Sequence, residues 1–148
     1  MKPSPFMEAA FAEAEEAARR GEVPIGAVVV SGGEILGRAG NRTRELNDPT
    51  AHAEMLAIRY ACRAANSERL PEADLYVTLE PCPMCAATIS FARIRRLYFG
   101  AADEKGGAVV SGVRLYSQPS CHHAPETYAG ISGQRAAGLL KAFFRERR

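Results

Sequence analysis

Apolar and small side chains recur at Phe6, Ala10, Ala14, Ala17 and Ala18, with Glu8, Glu13, Glu15 and Glu16 between them. That spacing predicts an amphipathic helix over Phe6 to Arg20, ended by Gly21 just past Arg19 and Arg20. Pro24 then opens Ile25-Gly26-Ala27-Val28-Val29-Val30, a β-branched run too short for a helix, which predicts a buried strand. Ser31-Gly32-Gly33 reads as a hairpin turn and Glu34 to Ala39 as the returning strand. Asp48-Pro49 has the form of a helix cap followed by proline at the first helical position, predicting a helix from about Thr50 to Asn66. Leu75 to Leu79 is a strand, a helix starts at Pro81-Cys82-Pro83 and runs to about Ala92, and Arg96 to Phe99 is a strand again. Ile131 to Arg147 forms a closing helix. Gly106-Gly107, Gly112, Pro119 and Pro125 leave residues 100–130 mostly loop, with a short element near Val113 to Leu115. Strands joined through helices need crossovers, so the order α-β-β-α-β-α-β-loop-α predicts a three-layer α/β/α sandwich on a mixed sheet.

A chain of 148 residues without repeat or linker fits one domain spanning 1–148. With 47% apolar and 24% charged residues it reads as globular, which excludes a disordered chain. No apolar run approaches the ~20 residues needed to cross a bilayer. Met1 to Arg20 has neither the apolar core nor the cleavage motif of a secretory signal, so a cytoplasmic location is expected. The formal net charge of +2 neither excludes nor favours nucleic acid, since a basic patch can hide in a nearly neutral total. Four cysteines in such a chain point to metal, redox chemistry or core rather than a disulfide framework, and their arrangement decides which.

Cys82 and Cys85 lie three apart at a helix N-terminus, where the dipole and free N–H groups favour thiolate. His52 opens another helix that can pack alongside, completing the N/S set that Zn2+ prefers. Three protein ligands leave the fourth tetrahedral position to water, the mark of a catalytic zinc. Glu54, two residues from His52, can reach that water and move its proton without being a ligand. Alone, Pro81-Cys82-Pro83-Met84-Cys85 also fits a thioredoxin-like redox pair or half of a structural zinc knuckle. The redox reading leaves His52 and Glu54 idle. The structural reading lacks a second ligand pair and leaves the acid without a task.

His52-Ala53-Glu54 followed by Pro81-Cys82-Pro83-Met84-Cys85 is the H-x-E…P-C-x-x-C pattern of zinc nucleobase deaminases. Glu22-Val23-Pro24-Ile25-Gly26-Ala27-Val28, Asn41-Arg42, Asp48-Pro49-Thr50-Ala51-His52-Ala53-Glu54, Phe99 to Gly107 and Phe143-Phe144-Arg145 narrow the likeness. Over about its whole length the chain resembles the bacterial tRNA adenosine deaminases. The resemblance implies a cytidine deaminase-like α/β/α sandwich with a mixed five-stranded sheet, and hydrolytic conversion of adenosine to inosine at the wobble position of a tRNA anticodon loop.

It further implies one Zn2+ per subunit held by His52, Cys82 and Cys85, with Glu54 moving protons between water, ring nitrogen and departing amine. Asn41 would hydrogen-bond the flipped nucleotide and the Ala53 N–H would help hold the ring; by itself Asn41 is equally an ordinary turn residue. Arg42, Arg44, Lys105, Arg145, Arg147 and Arg148 are candidate phosphate contacts, the last three equally a solvated helix end. The family is homodimeric, and the helix after Cys85, with hardly a charge on any face, is the expected seam.

Where relatives often carry Asn-His-Arg, this chain has His122-His123-Ala124, which removes an arginine from that loop. Cys121 with His122 and His123 is read as a loop residue beside RNA-facing or solvated histidines rather than a second metal site, and Cys62 as core filler. Two rivals remain open: a deaminase of the same fold and metal set acting on a free purine or pyrimidine base or nucleoside, such as guanine or cytosine, and a zinc-stabilised RNA-binding module without catalysis.

Overall fold

The computed structural model describes residues 4–147. Its elements run α1 (Pro5–Arg19), β1 (Gly26–Ser31), β2 (Glu34–Gly40), α2 (Ala53–Ala65), β3 (Asp74–Leu79), α3 (Pro83–Phe91), β4 (Arg96–Ala101), a 3-10 turn (Leu115–Ser117), β5 (Glu126–Tyr128) and α4 (Gly133–Glu146). The sheet order is β2-β1-β3-β4-β5. β1 is antiparallel to β2 and β3, whereas β3, β4 and β5 are mutually parallel. This is the mixed five-stranded sheet expected.

The period-2 geometry of the strands divides the core into two layers. Val28, Val30, Tyr76 and Tyr98 face α1 and α4, packing with Met7, Phe11 and Ala136. Ala27, Val29, Leu75, Val77, Leu97 and Phe99 face α2 and α3, packing with Ala57, Ile58, Ala86 and Ile89. Because both faces are covered, β1 is a continuous apolar run rather than an alternating one. Among the described residues no helix is long and apolar enough to cross a membrane.

α2 lies very close to the sheet: a Cβ on Gly37 would sit 2.2 Å from the Ala57 carbonyl oxygen. The bare backbone at Gly37 therefore fixes the depth of the helix that begins with Ala53 and Glu54.

Two expectations need correction. The Asp48-Pro49 pair does not open α2. Asp48 Oδ1 accepts from the Thr50 N–H at 2.8 Å and from the Thr50 hydroxyl at 2.7 Å, closing a local turn. The helix starts three residues later, with His52 as its extended N-cap. The short element near Val113 to Leu115 is a 3-10 turn displaced to Leu115–Ser117. β5, which the hydrophobic pattern does not mark, is a three-residue exposed edge strand. The Tyr128 ring stacks on Tyr98 at 4.9 Å and Glu126 pairs with Arg96 at 3.0 Å, so β5 is held by its neighbour strand rather than by burial.

Candidate active site

The N-termini of α2 and α3 converge, with His52 capping one helix and Cys82 the other. Neither cap makes the side-chain hydrogen bond to its own helix that caps usually make, which leaves both side chains free to face each other. His52 Nδ1 lies 3.6 Å from Cys82 Sγ and 3.5 Å from Cys85 Sγ, and all three ligand atoms lie within 4.8 Å of one another. A tetrahedral ion bound at about 2.0–2.3 Å sets its ligand atoms roughly 3.5 Å apart. Both histidine-to-sulfur spacings match that figure, so the donor set fits zinc. Nδ1 is the ring nitrogen turned to the sulfurs, a detail that sequence does not give.

The charges suit the same task. The hydrogen bond from Cys85, aided by His52, lowers the Cys82 thiol to about 4 despite its partial burial. That hydrogen bond and burial push the Cys85 thiol up, so it keeps its proton. The hydrogen bond to Cys82 raises His52 against the effect of burial. Glu54, only 4% exposed, is pushed up to about 7 by burial and by the Cys82 thiolate, partly offset by its own backbone N–H and by His52. A carboxyl group balanced near neutrality can both take and give a proton.

Asn41 is buried, with its Nδ2 donating to Glu22 Oε1 at 3.4 Å and to Thr43 Oγ1 at 3.2 Å. Its side chain is oriented by a partner, unlike that of a loose turn residue. Ala53 is the first residue of α2, where an N–H has no intrahelical acceptor. The basic candidates are not gathered in one place. Arg42 pairs with Glu45, and Arg44 reaches the Gly21 carbonyl at 3.4 Å. Lys105 lines a groove of about 570 Å³ with Asp103, Leu140 and Phe144. Arg145 is exposed, whereas the Arg147 guanidinium lies 3.7 Å over the Phe143 ring. Arg148 lies outside the described residues.

Cys121 Sγ donates to the His123 carbonyl at 3.2 Å, and His123 Nε2 meets the Ile94 carbonyl at 2.7 Å. The Ser90 hydroxyl donates to the same His123 carbonyl at 2.6 Å, tying the loop to the end of α3, and His122 is exposed. Cys62 packs half-buried against the main core.

Two buried carboxylates are missed by the sequence pattern. Glu22 accepts from the N–H groups of Arg44 and Glu45, shaping the loop after β2. Glu80 does the same for the loop after β4. Burial pushes the Glu80 carboxyl up, but its N–H and hydroxyl donors outweigh this and hold it below the usual range. The one signal in the sequence is an acid set directly after the apolar strand Leu75 to Leu79.

The family model for the cytidine and deoxycytidylate deaminase zinc-binding region matches residues 1–101. The tRNA-specific adenosine deaminase of Agrobacterium fabrum is 66% identical over 143 residues, covering 97% of this chain and 94% of the relative. That of Bacillus subtilis is 46% identical over 143 residues, covering 97% of this chain and 89% of the relative. A solved structure from work on A-to-I editing by tRNA:A34 deaminases at the wobble position superposes with a TM-score of 0.90 at 66% identity, covering 91% of this chain and 98% of that one. The chain belongs to the zinc-binding cytidine and deoxycytidylate deaminase family. Within that class it is a member of the tRNA-specific adenosine deaminase family.

Proposed function

We propose that this protein deaminates adenosine to inosine at the wobble position of a tRNA anticodon loop, using one zinc per subunit. The observation that carries the reading is a buried, non-ligating carboxyl, Glu54, beside three zinc-competent atoms on two convergent helix ends. Zinc in the His52, Cys82 and Cys85 set would supply a water acidic enough to lose its proton near neutral pH. Glu54 would take the water's first proton and pass it to the ring nitrogen as the oxygen bonds C6, then carry the second from the C6 hydroxyl to the amine, so that the C6–N bond breaks and ammonia leaves. Asn41, held by Glu22, offers its amide to the nucleotide, and the Ala53 N–H holds the ring. An anticodon loop suits this chemistry because its bases are already unstacked and enter a pocket at low cost.

Residues 1–148 act as one deaminase domain in this reading, since β5 and α4 complete the same sheet and its cover beyond the matched residues. Action on tRNA supports the reading of a cytoplasmic protein. The test is ammonia release and inosine formation on a synthetic anticodon stem-loop, against free adenosine, guanine and cytosine. Turnover of a free base in place of the stem-loop would favour the rival deaminase. Zinc binding without ammonia release from any of them would favour the RNA-binding module.

Two predictions follow the partner assignments. If Lys105 and Arg145 touch phosphates, replacing both with Ala flattens the log–log salt dependence of stem-loop binding by about 0.7 for each phosphate no longer neutralised. Turnover at saturating RNA should stay unchanged; an unchanged slope would move the contacts to Arg42 or Arg44. The second concerns a homodimer through α3, whose Ala86 and Ile89 cover the sheet while Phe91 stands 71% exposed at its end. Burying a phenylalanine is worth about 1.5–3 kcal/mol, so Phe91→Asp should shift sedimentation from dimer to monomer at micromolar concentration. A variant that still sediments as the parent does would remove α3 from the interface.

A further inference from the structure

The loop between β4 and the 3-10 turn is wrapped around a single side chain. The Glu80 carboxylate, 2% exposed, accepts hydrogen bonds from the N–H groups of Asp103, Val109, Val110 and Ser111 and from the Ser111 hydroxyl, at 2.9–3.0 Å. All five donors come from that one loop, and none from β3, which ends one residue before Glu80. The fit is close enough that a Cβ on Gly107 would sit 2.4 Å from Glu80 Cδ. The next residue joins in, because the Ala108 N–H donates to the Pro81 carbonyl at 2.9 Å. Cys82 follows immediately, so the end of β3 anchors both the metal segment and this loop.

The outer side of the loop is the part that meets solvent. Ala102, Asp103, Glu104 and Lys105 form one wall of the groove whose other side includes Ile25, Leu140 and Phe144. The loop has no cover that would fix it from outside: Glu104, Lys105 and Val110 are exposed, as is the Gly106 backbone. Asp103 closes the wall as a local turn, its Oδ1 accepting from the Lys105 and Gly106 N–H groups at 3.2 and 3.0 Å, and the Asp103 N–H bond to Glu80 fixes where that turn sits.

We propose that Glu80 is a positioning residue that sets the 102–105 wall against the RNA, and so governs substrate engagement rather than the chemical step. This rests on the RNA-deaminating function above. An amide in place of the carboxylate turns an NH2 group toward backbone N–H donors, and each charge-assisted bond removed is worth roughly a tenfold change in the loop's ordering equilibrium. Glu80→Gln is expected to raise KM for the stem-loop by about tenfold or more, with kcat within about threefold and zinc content unchanged. Amide exchange at Asp103, Val109, Val110 and Ser111 should accelerate in the same variant. Ser111→Ala, which removes one donor and leaves the carboxylate in place, should give a smaller rise in KM in the same direction.

Should Glu80→Gln lose zinc or fail to fold, Ser111→Ala decides: a raised KM supports the proposal and an unchanged KM overturns it. A Glu80→Gln protein with zinc intact and KM unchanged also overturns it, as does a fall in kcat with KM constant. A parent protein inactive on the stem-loop would instead overturn the functional reading beneath it, and with it the proposal. An active parent confines any failure to Glu80.

Discussion

The Glu54→Gln protein is expected to bind zinc as the parent does and to lose turnover on the anticodon stem-loop by about 10²–10⁴-fold or more. Glu54 lies outside the His52, Cys82 and Cys85 ligand group, so its removal should not empty the site. The loss is large because one carboxyl serves each proton transfer of the reaction. The same variant should be more stable than the parent in its metal-free form. Burial raises the Glu54 carboxyl from 4.5 to about 7, so the folded chain holds a proton that the unfolded chain releases across that window. Where the folded state binds more protons, stability falls as pH rises. The cost is absent below about pH 4.5 and complete above about 7. Chelated Glu54→Gln should therefore melt above the chelated parent at about pH 8, and the gap should close at about pH 4–5. Loss of metal together with activity, or a gap independent of pH, would overturn the role given to Glu54.

What sequence reveals here depends on how local the responsible physics is. The metal set is legible because each half is short: His52-Ala53-Glu54 and Cys82-Pro83-Met84-Cys85 each lie at one helix start, and the sheet only has to bring two helix ends together. The start of α2 is not legible, because Asp48 competes for the Thr50 N–H and closes a turn before the helix can begin. A capping preference and a turn preference come from the same side chain, and tertiary context chooses between them. β5 is hidden because its three residues are exposed and derive their order from Tyr98 and Arg96 on the neighbouring strand. Glu22 and Glu80 are harder still. A buried acid looks like any surface acid in the sequence until the loop that supplies its donors has folded around it.

Cys82→Ser and Cys85→Ser should each abolish zinc binding, but they should differ in what remains. Zinc binds the folded chain and not the unfolded one, so at a roughly thousandfold excess over Kd it adds about 4 kcal/mol. For a chain of this size that corresponds to a fall in Tm on the order of 10 °C when the metal is lost. Chelation of the parent should reproduce the drop, and chelator should leave either variant unaffected. Cys82 is half-buried, so its serine should melt close to the chelated parent. Cys85 is fully buried, and a serine there leaves a hydroxyl without solvent, so that variant should melt lower still. Protons give a second readout. The metal-free Cys85 thiol keeps its proton while Cys82 has already lost its own, so zinc uptake by the parent must expel the Cys85 proton. An indicator dye should register that release near neutral pH. Cys62→Ser and Cys121→Ser should both take up one zinc with the parent's proton release, because neither sulfur belongs to the converging group. Zinc retained by either Cys82→Ser or Cys85→Ser would mean that the ion is held elsewhere.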